Sequence, residues 1–286
     1  MSAARIVAGF ALRESLRRRV FLVIALLTVA FLALYGLGVW QADRTLGDRA
    51  TAPDLAGVDT QTVAAATLLG LSMFATLFLG AVLSVFLTLG AVRGDAERGL
   101  LQPLLVRPVS RRSLLLGRFG AAAGVCMAYV ILVFLAAAAI TWAFLGWWPD
   151  RVVGPALGLA LAVAVLCALS LAGSVALSST ANGIAVFMVF GAGLTGGLLG
   201  QIARLIGSGT LEDVATGTSW ALPFEALYQN ALSDITADTV GFTRLALDLG
   251  PFGGAQALGP LLWPWSLAYL AAIGVLAVRT FARRDL

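Results

Sequence analysis

The chain has 286 residues, of which 60% are hydrophobic and only 12% are charged, and its mean hydropathy is +0.94. Soluble proteins carry roughly a quarter charged residues, so this composition excludes a soluble domain and indicates an integral membrane protein. The net charge of +4 comes from 19 arginines, because the chain contains neither lysine nor histidine. It therefore lacks the residues of a GxxxxGK[ST] phosphate-binding loop, a Ser-His-Asp triad or a histidine-rich metal site.

Six uncharged apolar segments are each long enough to cross a bilayer, which takes about 20 residues. The fourth and fifth come from one long run, which we divide at the polar cluster 178–183 because it ends in a helix-breaking glycine. The predicted spans are residues 20–40, 63–92, 119–147, 152–178, 183–200 and 257–278. The sequence thus predicts an all-α, polytopic membrane protein with a single transmembrane domain, residues 1–286.

None of these six spans contains Asp, Glu, Lys or Arg. Carriers driven by protons or sodium ions usually hold ionisable residues at membrane depth, since the ion must be bound there. The absence of ionisable residues from the predicted spans therefore argues against an ion-driven carrier. An intramembrane enzyme would also need converging polar groups at depth, and only Ser, Thr and Asn182 are present there.

The distribution of arginine predicts the orientation of the chain. An even number of spans places both termini on one side, and fourteen of the 19 arginines fall in the N-terminal stretch, in segment 93–118 and in the C-terminal tail. By the positive-inside rule, both termini and segment 93–118 are cytoplasmic, and Trp147 and Trp148 then lie at the outer interface. The outer segment 201–256 is predicted to form short helices, over 222–232 and 239–249, that cap the spans from outside.

Four glycines of the fifth span are spaced for close helix packing: Gly193, Gly196, Gly197 and Gly200. Small residues four apart let helix backbones approach closely, either within one chain or against a second copy. Both alternatives stay open from the sequence.

Cys126, Met127 and Cys167 lie in apolar runs and carry soft ligands that suit Cu(I). Isolated cysteine and methionine residues in helices are more often packing residues, so we predict no metal site in this chain.

Segment 93–118 contains six arginines, two acids and the stripe Leu100, Leu101, Leu104 and Leu105. On a helix these leucines share one face, which predicts an amphipathic helix between spans 2 and 3. Such a helix could bind anionic lipid headgroups or dock a cytoplasmic partner. Asp95 and Glu97 are the only candidates for catalysis, and two carboxylates without histidine, lysine or a metal set do not make a convincing active site.

The order of residues in this segment resembles the cytoplasmic loop of ABC-2 type permeases, whose pattern is approximately E-x-G-T, a leucine-rich turn, P-x-S-R and G-K. The matching residues are Glu97, Gly99, the leucines, Pro108, Ser110, Arg111, Gly117 and Arg118. Leu100 stands where threonine is usual, and Arg118 replaces lysine. The C-terminal FARRDL is also similar to the family's. The chain most resembles the permeases that serve maturation of multicopper enzymes and nitrous-oxide reductase.

The resemblance implies the permease subunit of an ATP-driven exporter, in which the segment is a coupling helix seated in a cleft of the ATPase. The residues that carry this role over are Glu97, Gly99, Leu101, Leu104, Leu105, Arg107, Pro108 and Arg111. Pro103 should kink or end the helix within the stripe.

The implied partners are two cytoplasmic ABC ATPase subunits, which hold ATP and Mg, and a second copy or a homologous permease. An extracytoplasmic accessory protein and the bilayer of the bacterial cytoplasmic membrane complete the set. No enzyme activity, cofactor or nucleic-acid partner is expected of this chain.

The alternative function is a membrane scaffold or assembly factor for an extracytoplasmic enzyme, such as a copper enzyme. The substrate class stays open among a lipid, a hydrophobic small molecule and a purely conformational role.

Overall fold

The computed structural model describes residues 19–49, 58–88, 111–243 and 259–282, and the regular structure of these residues is entirely α-helical. The eight principal helices are α1 (Arg19–Arg49), α2 (Thr60–Thr88), α3 (Arg111–Leu145), α4 (Val153–Ala176), α5 (Ser179–Ile206), α6 (Gly209–Ala221), α7 (Pro223–Asp234) and α8 (Leu262–Ala282). Helices α1 to α5 and α8 are long and apolar enough to cross a membrane. This confirms the predicted all-α fold with six spans.

The helices alternate in direction, as six successive crossings require. Two hydrogen bonds between side chains join α1 to α3: Thr28 to Tyr129 at 2.7 Å, and Tyr35 to Thr141 at 2.6 Å. The two contacts follow in the same order along both helices, so α1 and α3 run parallel. The Gln61 side-chain amide donates to the carbonyl of Leu145, which brings the start of α2 to the end of α3.

Two ends of the bundle follow from this arrangement. The arginine end contains the starts of α1, α3 and α5 and the ends of α2, α4 and α8. The tryptophan end contains the opposite helix termini, with Trp147 and Trp148 in the connection between α3 and α4.

Helix α4 is the centre of the bundle. It contains no charged or aromatic residue, and its small and aliphatic side chains are buried along nearly the whole helix. It contacts α2, α3, α5, α7 and α8, which is possible because alanine and glycine let neighbouring backbones come close. Helices α1 and α8, in contrast, leave many large apolar side chains exposed, as expected of surfaces that face lipid.

The turn between α4 and α5 differs from the sequence prediction. We divided the long apolar run at 178–183, but only Leu177 and Ser178 lie outside the two helices, and α5 starts at Ser179 and continues to Ile206. Asn182 therefore lies in the first turn of α5, where its backbone N–H donates to Ser178 O at 2.9 Å. The polar cluster marks a helix start instead of a loop.

Helices α6 and α7 form a re-entrant hairpin that turns back among the spans from the tryptophan end. Gly207 ends α5 in the left-handed conformation at φ 67°, and its N–H donates to Ala203 O. Helix α6 then packs along α5, and after the break at Leu222 helix α7 returns, so that Ile235 O accepts from Asp150 N at 3.2 Å.

The depth of the hairpin follows from its contacts with α2. Tyr228 Oη donates to Gly70 O at 3.4 Å, and Gly70 lies ten residues into α2. At 1.5 Å per residue, this contact is about 15 Å from the start of α2. The prediction that the outer segment caps the spans from outside is therefore wrong for α6 and α7. The predicted helix 222–232 is confirmed as α7, with proline at its start, whereas most of 239–249 lies outside the described residues.

Candidate functional site

A polar node joins three spans at the arginine end. Thr88, the last residue of α2, has its hydroxyl 2.6 Å from that of Ser170 on α4. Asn182 on α5 donates its side-chain amide to Ser170 O at 2.9 Å and lies 3.4 Å from Ser170 Oγ. Each of these three residues is at most 1% exposed. Buried polar side chains that find partners on neighbouring helices fix how those helices sit against one another.

The polar node is tightly packed. Gly173 on α4 lies against Asn182, and a Cβ atom at this position would overlap Asn182 Oδ1. Asn182 Oδ1 itself has no hydrogen-bond partner among the described residues. Any side chain at Gly173 would displace Asn182, so the node depends on glycine here.

The node lies at the end of α2 that comes before segment 93–118 in the chain. Thr88 comes directly before residues 89–110, and α3 begins directly after them at Arg111. At the same end, an apolar cluster packs the start of α3 against the ends of α4 and α8. Its buried members are Leu115, Leu171, Val175, Ala277 and Phe281. Both flanks of the predicted docking segment are therefore tied to the core helices.

A second polar group is buried in the re-entrant hairpin. Glu225 on α7 is 2% exposed, and its Oε1 accepts a hydrogen bond from Gln229 Nε2 at 2.9 Å, one helical turn further on. Gly197 of α5 lies directly against this carboxyl, since a Cβ there would overlap Glu225 Oε1. Glu225 Oε2 and Gln229 Oε1 have no hydrogen-bond partner among the described residues.

Burial controls the electrostatics of this group. Desolvation raises the pKa of Glu225 from 4.5 to about 7, and the hydrogen bond from Gln229 opposes the shift. Desolvation, together with the neighbouring Glu225, also raises the pKa of Tyr228 above its ordinary value. At the end of α7, burial raises the pKa of Asp234 and Arg151 lowers it, with Arg151 Nη1 3.5 Å from Asp234 Oδ1.

A groove of about 400 Å³ runs between α1, α2 and α3. Its lining is almost entirely apolar, from Ile24 and Leu32 on α1 to Leu83 on α2 and Val133 on α3. The hydroxyls of Thr28 and Tyr129 bond each other at 2.7 Å instead of facing the groove as free partners. A lipid acyl chain suits this surface, whereas it offers nothing to recognise a charged solute.

The predicted docking residues lie largely outside the described residues. Arg111 is the first residue of α3. The others are Glu97, Gly99, Leu101, Leu104, Leu105, Arg107 and Pro108, and their role stays a prediction.

The four glycines of the fifth span face the inside of the protein to different degrees. A Cβ at Gly193 would overlap the Phe224 ring, one at Gly196 would overlap Thr218, and one at Gly197 would overlap Glu225. Three of the four therefore contact the re-entrant hairpin of the same chain, and Gly200 is buried. Their part in contacts with a second copy stays a prediction.

Cys126 and Cys167 are buried free thiols. In the described ranges no three His, Cys, Asp or Glu residues come together in a group that could hold a metal ion.

Sequence reasoning missed the polar node and the buried carboxyl. The signal for Glu225 is the apolar spacing of Phe224, Leu227, Tyr228 and Ala231 around it, which marks α7 as a packed helix despite its charge. For the polar node no local signal exists, because its three residues lie on three different helices and Thr88 is 82 residues from Ser170.

A family model described as ABC-2 family transporter protein matches residues 6–286, nearly the whole chain. The chain belongs to the ABC-2 transporter family. It is thus a multi-pass membrane permease of an ABC transporter, and membership implies partnership with ABC ATPase subunits. No curated protein matches the chain significantly.

Proposed function

We propose that this ABC-2 permease is half of the membrane part of an exporter in a bacterial cytoplasmic membrane, where it pairs with a second copy or a homologous permease. Two separate cytoplasmic subunits bind ATP and Mg and hydrolyse the nucleotide. The permease itself carries out no catalysis and holds no cofactor. Its arginine end faces the cytoplasm, in agreement with the positive-inside rule.

The observation that carries this proposal is the place of the polar node. Segment 93–118 docks on the ATPase, and Thr88 at the end of α2 is bonded to α4 and, through Ser170, to α5. A push on the segment therefore acts on the contact between these three spans, and this contact breaks and re-forms as α2 moves relative to α4. Rigid helices then move as bodies between discrete arrangements, which is the usual form of such transitions.

The same helices reach the other end of the protein. Gly158 of α4 contacts Ala231 and Leu227 of α7, and Gly193 of α5 contacts Phe224. Displacement of α4 and α5 at the arginine end therefore also moves the surfaces of these two helices on which the re-entrant hairpin packs. In this proposal the hairpin is the part that opens and closes the outer side of the pathway.

The glycines of the fifth span, which are predicted to serve helix packing or pairing, already have contacts within this chain. Gly193, Gly196 and Gly197 contact α6 and α7 of the same chain, so a second copy cannot pack there without displacing the hairpin.

Replacing Leu104 and Leu105 with aspartate is expected to abolish co-purification of the ATPase, because two charges are placed on the apolar face that enters its cleft. The matched control is Gln102→Asp with Val106→Asp, which adds the same charges on the opposite face of the predicted helix. The measurement is affinity purification of the tagged permease with quantification of bound ATPase. Equal recovery of ATPase by both double variants would refute the docking assignment.

Purification of the permease from native membranes, followed by mass spectrometry of bound proteins and lipids, tests the wider proposal. The expected result is an ABC ATPase together with a bound compound that is taken up by inside-out vesicles only when ATP is present. A complex that contains an extracytoplasmic enzyme but no ATPase would replace the exporter with a scaffold.

A further inference from the structure

Two buried oxygen atoms in the re-entrant hairpin lack a hydrogen-bond donor. Glu225 and Gln229 face each other one turn apart on α7, and one bond joins them, from Gln229 Nε2 to Glu225 Oε1 at 2.9 Å. The remaining oxygen of each side chain, Glu225 Oε2 and Gln229 Oε1, is buried without a partner among the described residues. An ionised carboxylate accepts hydrogen bonds but cannot donate, so in that state both oxygens stay unsatisfied.

A single proton supplies the missing donor. On Glu225 Oε2 it turns the carboxylate into an acid whose hydroxyl can donate to Gln229 Oε1. The amide of Gln229 already donates to the other carboxyl oxygen, so the two side chains then close a ring of two hydrogen bonds. We propose that Glu225 is a proton-binding site of the re-entrant hairpin and that the packing of the hairpin between α4 and α5 requires this proton. The proposal needs only the fold and is independent of ATP-driven transport.

The titratable groups on the described helices that pack around α7 are few. Helix α2 contributes no titratable group, and α4 contributes only the thiol Cys167. On α7 itself, Tyr228 is next to the carboxyl, and Asp234 lies at the far end with Arg151. The remaining titratable residues of the packed helices are Arg204 on α5, Glu212 and Asp213 on α6, and Tyr269 and Arg279 on α8.

A cation paired with Glu225 would be an alternative explanation, and Arg204 is the cationic residue of α5 among the described residues. It lies seven residues after Gly197 on α5, and therefore two turns along the same side of the helix. A guanidinium paired with Glu225 would favour the ionised carboxylate, whereas the proposed acid needs no cation. The two arrangements predict opposite pH dependence.

The sign follows from the direction of the pKa shift. Burial raises the pKa of Glu225 to about 7 in the folded protein, above its ordinary value of 4.5. The folded state therefore holds the proton more tightly than the unfolded state. The stability from this site is complete below pH 4.5 and is lost as the pH rises through about 7.

The test is thermal unfolding of the purified full-length protein in detergent, over a pH range that brackets these two values. The wild-type midpoint is expected to fall as the pH rises through about 7, whereas Glu225→Gln should lack the part of this fall that comes from Glu225, because the amide is neutral at every pH. The matched control is Glu212→Gln, which changes an exposed glutamate on α6 and should keep the wild-type profile. A Glu225→Gln profile parallel to that of the wild type would overturn the proposal.

Two further measurements cover the remaining outcomes. If wild-type stability rises with pH and Arg204→Gln abolishes that rise, Glu225 is an ion-pair partner and the proposal is wrong. If Glu225→Gln does not fold, infrared spectroscopy of the wild type decides. A buried protonated-carboxyl band that disappears as the pH rises through about 7 supports the site, and no such band overturns it.

Discussion

Replacing Gly193 with alanine is expected to loosen the re-entrant hairpin and to lower the free energy of unfolding by about 1–3 kcal/mol, the usual cost of overpacking. The added Cβ would overlap the ring of Phe224. That ring cannot move aside, since Phe224 is fully buried and stacks on Phe190 with centroids 5.8 Å apart. Either the ring leaves its rotamer or α7 shifts away from α5.

The matched control is Gly191→Ala on the same helix. Nothing lies within 4 Å of a Cβ at Gly191, so this change should be neutral or should stabilise the helix by up to about 1 kcal/mol. The measurement is the midpoint of thermal unfolding of both variants in the same detergent. A Phe224→Leu change should recover part of the loss caused by Gly193→Ala, because the two residues are in contact. Equal midpoints for the two alanine variants would show that the Gly193 contact with the hairpin is not needed.

The spans could be predicted from sequence because each of them is apolar over the full thickness of a bilayer. The long apolar run is divided at the predicted polar cluster, residues 178–183, but most of this cluster is the first turn of α5 and not a loop. The polar cluster favours a break in the run, but Asn182 lies inside α5, where Ser170 on the preceding helix accepts its amide hydrogen bond. That partner is twelve residues away in sequence and is close only after α4 and α5 have packed.

The re-entrant hairpin could not be predicted for a related reason. Helix α7 has 12 residues, too few to span a bilayer, so length alone assigns it to the outer surface. Its place among the spans depends on Gly70, Gly158 and Gly193, which make room for its side chains. The glycines of α5 were recognised as packing residues, but their partner depends on a fold that spacing does not specify.

For the docking segment, sequence is the stronger source. Its motif from Glu97 to Arg111 falls almost entirely outside the described residues, and the assignment therefore depends on the resemblance and on membership in the ABC-2 family. What the structure contributes is an anchor on each side of residues 89–110, Thr88 before them and Leu115 of α3 after them. Through these contacts a movement of the segment can be transmitted to α4 and α8.

Joining Thr88 and Ser170 by a disulfide is expected to stop ATP turnover by the complex of permease and ATPase. The two hydroxyl oxygens are 2.6 Å apart and each is one bond from its Cβ, so cysteines at these positions can reach disulfide geometry with little backbone movement. The background for Thr88→Cys with Ser170→Cys is Cys126→Ala with Cys167→Ala, which removes the two native thiols.

The reason for the expected arrest is that a covalent link prevents α2 from moving relative to α4, whereas the native contact between the two hydroxyls can break and re-form. ATP hydrolysis by the purified complex is measured after oxidation and again after reduction, and turnover should fall to that of the isolated ATPase and then recover. Each single-cysteine variant, treated with the same oxidant, controls for oxidation alone. Full turnover by the cross-linked complex would mean that α2 and α4 move as one body, and transmission would then pass through α3, whose Leu115 packs on α4 and α8. The experiment therefore identifies which flank of the docking segment transmits the motion.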